Sequence, residues 1–157
     1  MIYVTVGTMF MDFPRLIHAM DRIAADTGEH VIVQTGMGRT KPVHCEHFDF
    51  KPREEVLAIQ STARVVVCHA GIGSVSDALY AGRPLVVVPR LKAFKEHLND
   101  HQLDLARAVE ARRWGKAVFD IAGLANACAN PPSAHENYAP ARAPLVAALR
   151  AFVERRV

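Results

Sequence analysis

The stretch from Val65 to Arg90 constrains the fold more than any other part of the sequence. It reads VVVCHAGIGSVSDALYAGRPLVVVPR, an apolar strand followed by a glycine loop, a helix and a second apolar strand. Consecutive apolar residues are typical of a strand that is buried on both faces, and Gly71 and Gly73 let the backbone turn tightly and approach a ligand. The free N–H groups of a helix's first turn favour an anion in front of them. The segment therefore predicts either a phosphate site or a plain strand-to-helix turn.

Strands and helices alternate along the rest of the chain as well. Hydrophobic periodicity predicts strands at residues 2–6, 31–33, 44–50, 65–67, 85–88 and 116–119, and helices at 16–27, 54–60, 74–80 and 96–112. This order predicts an α/β fold: a single Rossmann-like domain, with a mostly parallel sheet, helices on both faces and ligands at the carboxyl ends of the strands. We expect residues 1–130 to form this domain. Residues 131–157 read as a linker and a C-terminal helix that packs on the domain or on a partner.

Composition narrows the class of protein. The chain has 157 residues, of which 50% are hydrophobic, and a net charge of +3 without any block of lysine and arginine, so we expect one folded domain that does not bind nucleic acid. Its three widely spaced cysteines form no C-x-x-C pair, which favours a reducing cytosol. The first residues read as a strand and not as a signal peptide, and no apolar run is long enough to span a membrane.

The position of Asp77 in the sequence allows two interpretations. It follows Ser74 by three residues, which matches a capping box in which both side chains only hold the start of the helix. Alternatively, its carboxylate lies on the first turn of a helix that faces a ligand, where it can accept hydrogen bonds from ribose hydroxyls. The two roles exclude each other only if Asp77 folds back onto Ser74.

Two further polar clusters follow strands. The run from Glu96 to Gln102, EHLNDHQ, combines hydrogen-bond donors and acceptors that can bind sugar hydroxyls. Most runs of this kind are nevertheless explained as the solvated start of a helix. The run from His44 to His47, HCEH, suggests metal ligands, but alternate residues of a strand face opposite ways and cannot converge on one ion. We therefore expect no metal site, and the chain has no Asp-x-Asp pair of the kind that holds magnesium on a nucleotide diphosphate.

Taken together, the motifs resemble the nucleotide-sugar half of GT-B glycosyltransferases. The likeness is strongest to small stand-alone catalytic subunits, those of bacterial exopolysaccharide transferases and the cytosolic subunit of the two-part N-acetylglucosamine transferase of dolichol-linked oligosaccharide synthesis. It covers roughly residues 1–118, and the ordered combination is more specific than any single motif. The matching segments are Val4–Thr8, His69–Ser74 with Asp77, Gly82–Pro84, Val88–Arg90, Glu96–His97 and Asn99–Gln102.

The resemblance implies a UDP-sugar donor, bound at the carboxyl ends of the strands without a cofactor or metal. By position, the loops at Gly7–Thr8 and Gly71–Ser74 would face the diphosphate, and Asp77 the ribose. Many relatives have glutamate where this chain has the shorter Asp77. The residues that the resemblance implies for donor binding are Gly7, Thr8, His69, Gly71, Gly73, Ser74, Asp77, Pro89, Arg90, Asn99, Asp100, His101 and Gln102.

The same resemblance implies an inverting hexosyltransferase that moves the sugar to a lipid-linked saccharide acceptor, as in exopolysaccharide synthesis. Because acceptor site and general base lie in another domain of full-length relatives, we expect a membrane-anchored partner subunit to supply them. The chain would then be cytoplasmic and peripheral at the inner face of the membrane. His101 is a second candidate for the base. The competing predictions are a Rossmann-like NAD- or flavin-binding module and a non-catalytic scaffold subunit.

Overall fold

A computed structural model of the chain describes residues 1–135. Within them no helix has the length and apolarity needed to cross a membrane. The helix predicted from Leu145, Leu149, Phe152 and Val153 lies outside the described residues. The described elements are β1 (Ile2–Thr5), α1 (Pro14–Thr27), β2 (Val31–Gln34), β3 (Glu46–Phe48), α2 (Arg53–Thr62), β4 (Val65–Cys68), α3 (Ile72–Tyr80), β5 (Leu85–Val87), α4 (Gln102–Ala111), β6 (Lys116–Ala117) and α5 (Leu124–Ala129), with 3₁₀ turns at Lys92–Phe94 and Ile121–Gly123.

The six strands form one sheet in the order β3-β2-β1-β4-β5-β6, and every pair is parallel. The prediction of a Rossmann-like α/β domain is thus confirmed. The first strand, β1, lies in the middle of the sheet. On one side of it lie β2 and then β3, and on the other side lie β4, β5 and β6. The direction of winding therefore reverses between β1 and β4, where an open parallel sheet leaves a crevice at its carboxyl edge.

Alternating strand residues fill two separate cores. On one face, Ile2 and Val4 of β1 join the side chains of α1 and α5. On the other face, Tyr3 joins those of α3 and α4, with α2 at the margin. Both faces are covered, so the central strands β1 and β4 consist entirely of buried residues. This is why the sequence shows continuous apolar runs at these strands and no polar alternation.

All four predicted helices begin at a residue other than the expected one: α1 at Pro14 and α2 at Arg53 start two residues and one residue early. The helix α3 begins at Ile72, two residues before the expected Ser74, because Gly71 already accepts the N–H of Val75 through its carbonyl. The helix α4 begins at Gln102 and not at Glu96. Before Glu96 the chain makes the 3₁₀ turn at Lys92–Phe94. It then changes direction at Lys95, whose φ of 58° is incompatible with a continuing helix. The short α5 and both 3₁₀ turns were not predicted.

A buried arginine ties together the loops at the carboxyl edge. Arg90 is completely buried and donates to the carbonyls of Val6 (2.8 Å), Met11 (2.8 Å), Asp12 (3.0 Å) and Glu96 (3.1 Å). Burial lowers the pKa of Arg90 to about 10, which leaves it protonated at neutral pH. One cation thus fixes the β1–α1 loop against the β5–α4 loop.

An ion pair between Arg15 and Glu96 also supports this junction. The carboxylate of Glu96 is 1% exposed and accepts from the guanidinium of Arg15 at 2.9 and 2.8 Å, and from the N–H of Leu91 at 3.0 Å. Arg15 also donates to the carbonyl of Pro89. The first turn of α1 is thereby joined to the segment after β5, so the loops around the crevice are held by charged groups and not by apolar packing alone.

Candidate functional site

A cleft of about 390 Å³ opens at the carboxyl edge of the sheet, between the end of β1 and the start of α3. It lies at the reversal of the winding, where ligands bind in folds of this kind. Part of its lining was predicted from the sequence: Gly7, Thr8, His69, Gly71, Gly73, Ser74 and Asp77. The remaining lining residues were not predicted: Thr5, Gln34, Phe50, Lys51, Arg53 and Val56.

His69 stands between two glycine backbones on the floor of the cleft. A methyl group added at Gly7 would lie 2.3 Å from Cε1 of the ring, and one added at Gly71 would lie 2.1 Å from Nε2. Gly7 also has a φ of +79°, which other residues rarely adopt. Any larger residue at Gly7 or Gly71 would collide with the imidazole, so glycine is needed at both positions whether or not they also bind a ligand.

The imidazole of His69 is neutral at physiological pH. Burial lowers its pKa to about 4, and the positive charge of Arg90 acts in the same direction. Its Nδ1 atom is buried and has no hydrogen-bond partner within the described residues. An unpaired buried polar atom costs free energy that a hydrogen bond with a water or a ligand would recover. The ring thus provides an uncharged polar group beside the cleft.

The first turn of α3 forms one wall of the cleft. Because Val75 is the first residue of this turn to donate within the helix, the N–H groups of Ile72, Gly73 and Ser74 have no helical acceptor. A methyl group added at Gly73 would meet nothing within 4 Å, so this face of the turn is open. The wall therefore presents several N–H donors and the positive end of the helix dipole to the cleft.

The ends of β1 and β2 supply polar groups that the sequence analysis did not single out. The hydroxyl of Thr5 donates to Oε1 of Gln34 at 2.6 Å and accepts the N–H of Gly7 at 3.1 Å. Tyr3 also donates to Gln34, at 3.4 Å. Thr5 and Gln34 are the last residues of β1 and β2, so their position after an apolar run was the available signal.

The capping-box interpretation of Asp77 is wrong. Gly71 is the N-cap of α3 and makes no side-chain cap hydrogen bond. The carboxylate of Asp77 instead accepts two hydrogen bonds from Arg53, from Nη1 at 3.2 Å and from Nη2 at 2.8 Å. Asp77 lines the cleft, and the ion pair bridges α3 to the start of α2 on the opposite wall. Its side chain therefore remains available to a ligand.

The other predicted donor-binding residues do not line the cleft. Arg90 and Gln102 are buried, and Oε1 of Gln102 accepts the N–H of Arg90, so both are occupied within the fold. Pro89 is also buried, and its carbonyl accepts from Arg15. The structure therefore shows these three as part of the framework behind the cleft.

The predicted polar run forms an exposed turn beside this framework. Asn99 accepts from the N–H of His101 at 3.4 Å and also contacts its Nδ1, while Asp100 accepts the N–H of Lys92 at 2.8 Å. The ring of His101 packs edge-on against His97, with ring centroids 4.6 Å apart. The pKa of His97 is lowered by burial and by the neighbouring His101 and Arg90. None of these residues lines the cleft, although His97 is near enough to His69 to contribute to the lowering of its pKa.

The HCEH run does not gather into one site. His44 contacts the carboxylate of Asp21, Glu46 contacts His30, and Cys45 is buried with its sulfur towards the carbonyl of Met20. Across residues 1–135, no group of three or more histidine, cysteine, aspartate or glutamate side chains is arranged to hold a metal ion.

Comparison with known proteins identifies the family. The model of the glycosyltransferase family 28 C-terminal domain matches residues 1–154. The UDP-N-acetylglucosamine transferase subunit ALG13 of Mus musculus is 33% identical over 114 residues, which is 67% of this chain and 9% of that protein. The Homo sapiens subunit of the same name is 33% identical over 115 residues, 68% of this chain and 10% of that protein. The chain thus spans about a tenth of the length of these curated relatives.

Solved glycosyltransferases share the fold. The calicheamicin glycosyltransferase CalG4 aligns with a TM-score of 0.62 at 22% identity, over 83% of this chain and 34% of its own. The NMR structure of ALG13 aligns at 0.57 and 19% identity, over 85% of this chain and 87% of its own. SsfS6 of Streptomyces sp. SF2575, solved with thymidine diphosphate, aligns at 0.54 and 25% identity, over 82% of this chain and 31% of its own.

The packing of His69 predicts opposite effects for two neighbouring glycines. Gly71→Ala places a methyl group against a ring that Gly7 blocks on its other side, so we expect it to lower the free energy of unfolding by about 1–3 kcal/mol. Gly73→Ala meets open space within α3 and is expected to raise the free energy of unfolding, by up to about 1 kcal/mol. Urea unfolding measures both. Equal effects of the two substitutions would contradict the packing.

The lowered pKa of His69 predicts a pH-dependent stability. Below pH 6.5 the unfolded chain binds a proton at this residue, whereas the folded protein does so only near pH 4. Stability is therefore lost as the pH falls from 6.5 to about 4, by on the order of 3 kcal/mol. Urea unfolding across this range should show a shallower loss for His69→Gln than for the wild type, because glutamine does not titrate. Parallel curves would show that His69 is not held neutral.

Proposed function

The chain belongs to the glycosyltransferase family 28 C-terminal domain family, and from this we propose that its cleft binds the nucleotide-sugar donor of a glycosyl transfer. The observation that carries the proposal is the open first turn of α3 facing Gly7 across the cleft. N–H donors and the helix dipole favour a diphosphate at this point. The presence of thymidine diphosphate in SsfS6, a structural relative at 25% identity, supports a nucleoside diphosphate as the ligand.

We propose UDP as the nucleotide, because the curated relatives are named as UDP-N-acetylglucosamine transferase subunits. In this arrangement Gly7, Thr8 and the segment Gly71–Ser74 face the diphosphate. Asp77 follows Ser74 by about 4.5 Å along the helix axis, which is a suitable offset for the ribose. Its carboxylate accepts two hydrogen bonds from Arg53, and a carboxylate can accept about four, so a ribose hydroxyl can still be bound.

The wall formed by α3 also suits the chemistry of transfer. When an acceptor hydroxyl displaces UDP from the anomeric carbon, negative charge develops on the departing phosphate. The N–H groups of Ile72, Gly73 and Ser74 are already oriented and can stabilise that charge without reorganising. We propose that this takes the place of a metal ion, and that the sugar is transferred with inversion.

Activation of the acceptor needs a general base. His101 is the candidate within this chain, and its Nδ1 contacts Asn99 in the exposed turn outside the cleft lining. We propose that the base and the binding site for a lipid-linked saccharide acceptor belong to a membrane-anchored partner subunit, which would hold this chain at the cytoplasmic face of the membrane. The relatives are named as subunits, which supports a partner.

Ligand binding tests the donor assignment. In the presence of a chelator, we expect UDP and a UDP-sugar to raise the melting temperature, since a ligand at 100 times its Kd stabilises the folded state by about 2.7 kcal/mol. NAD should have no effect. Asp77→Ala should weaken UDP binding about tenfold in isothermal titration calorimetry, because one hydrogen bond to a charged group is lost. Asp104→Ala, which removes an exposed aspartate outside the cleft, serves as the control.

The outcomes separate the alternatives. Stabilisation by NAD and none by UDP would identify a dinucleotide-binding module instead. No response to any nucleotide, for the chain alone and for its complex with the partner, would indicate a scaffold subunit. Transfer from a UDP-sugar by the chain alone, as fast as with membranes of its source organism, would contradict the proposed need for a partner.

A further inference from the structure

The ion pair between Arg53 and Asp77 stands apart from the other exposed pairs because both of its side chains line the cleft. Arg53 is the first residue of α2, and Asp77 lies in the middle of α3 on the opposite wall. The pair is bidentate, with distances of 3.2 and 2.8 Å. An exposed pair contributes little to stability, so its location suggests a role in binding.

The guanidinium of Arg53 has donors to spare. It carries more N–H groups than the two that Asp77 accepts, and its side chain is 65% exposed. The neighbouring Lys51 also lines the cleft, and its ammonium contacts Glu55 at 3.2 Å and lies over the ring of Phe48. Arg53 differs in that its guanidinium is fixed by two hydrogen bonds to the opposite wall while further N–H donors remain for a ligand.

The position along the cleft indicates which part of a nucleotide these donors meet. The diphosphate is proposed at the first turn of α3, and Asp77 lies about 4.5 Å further along the helix than Ser74. Phe50 and Val56 line the cleft on the α2 side with Arg53, and Phe50 is 51% exposed. An apolar surface next to a hydrogen-bond donor is suited to the flat face and the carbonyl oxygens of a nucleobase.

We propose that Arg53, held in place by Asp77, is a nucleoside-binding residue that donates hydrogen bonds to oxygen atoms of the base or ribose. This inference rests on the proposed function. The two hydrogen bonds of the pair join the α3 wall to the α2 wall, so a nucleoside contact from Arg53 would add to that of the short Asp77 side chain. The Asp77 carboxylate then both orients Arg53 and accepts a hydrogen bond from a ribose hydroxyl.

The test compares binding of UDP and of uridine, by calorimetry and NMR titration, to the wild type and to Arg53→Ala. We expect Arg53→Ala to weaken both ligands by the same factor, about three- to tenfold. Arg53→Lys should weaken them nearly as much, because lysine keeps the charge but loses the bidentate geometry. Arg107→Ala is the matched control, since Arg107 is also 65% exposed and pairs with an aspartate, but outside the cleft.

A double-mutant cycle tests the coupling. If Asp77 orients Arg53, the combined Arg53→Ala and Asp77→Ala variant should bind UDP more tightly than the product of the two single losses implies. Unchanged or tighter binding by Arg53→Ala would overturn the proposal, the latter showing that Arg53 only blocks Asp77. A loss confined to UDP would also overturn it, by placing the contact at the phosphates. Failure of the wild type to bind UDP, both alone and in complex with its partner, would instead refute the proposed function itself.

Discussion

The hydrogen bonds of Arg90 are the interaction on which the site depends. Its buried guanidinium donates hydrogen bonds to carbonyls at the start and at the end of the loop after β1, and to one carbonyl in the segment after β5. These two stretches follow strands on either side of β4, and the ion pair of Arg15 with Glu96 is another charged contact between them. Burying a charge is costly, and here the cost is offset by oriented carbonyls and by the ring of Phe13, 4.7 Å from the guanidinium carbon.

The same cation links the framework to the cleft. Its charge, together with burial, keeps His69 neutral, and that neutral ring fits between Gly7 and Gly71 without bringing a second positive charge into the interior. The ring between these glycines is therefore uncharged. Under the proposed function, the first turn of α3 attracts the diphosphate and Arg53 on the α2 wall contacts the nucleoside. One cleft would then hold both ends of a nucleotide.

The features that could be predicted from the sequence are those with local causes. The apolar run of β4 and the glycines after it predicted a buried strand and an open helix start, and both are present. Contacts between distant segments could not be predicted, such as Arg90 with Val6 or Arg53 with Asp77. Predictions from local sequence patterns failed where such distant contacts determine the structure. Asp77 matched a helix cap, yet its carboxylate pairs with Arg53. Glu96 matched the start of a helix, yet its carboxylate pairs with Arg15.

Backbone amide NMR during a UDP titration tests the central claim most directly, because it reports where the nucleotide lies residue by residue. The largest shifts are expected at Gly7, Ile72, Gly73 and Ser74, all with the same dissociation constant. A second groove of about 360 Å³, between α1 and α5 and lined by Arg22 and Leu124, provides the comparison. Shifts confined to that groove, or absent from the first turn of α3, would contradict the account.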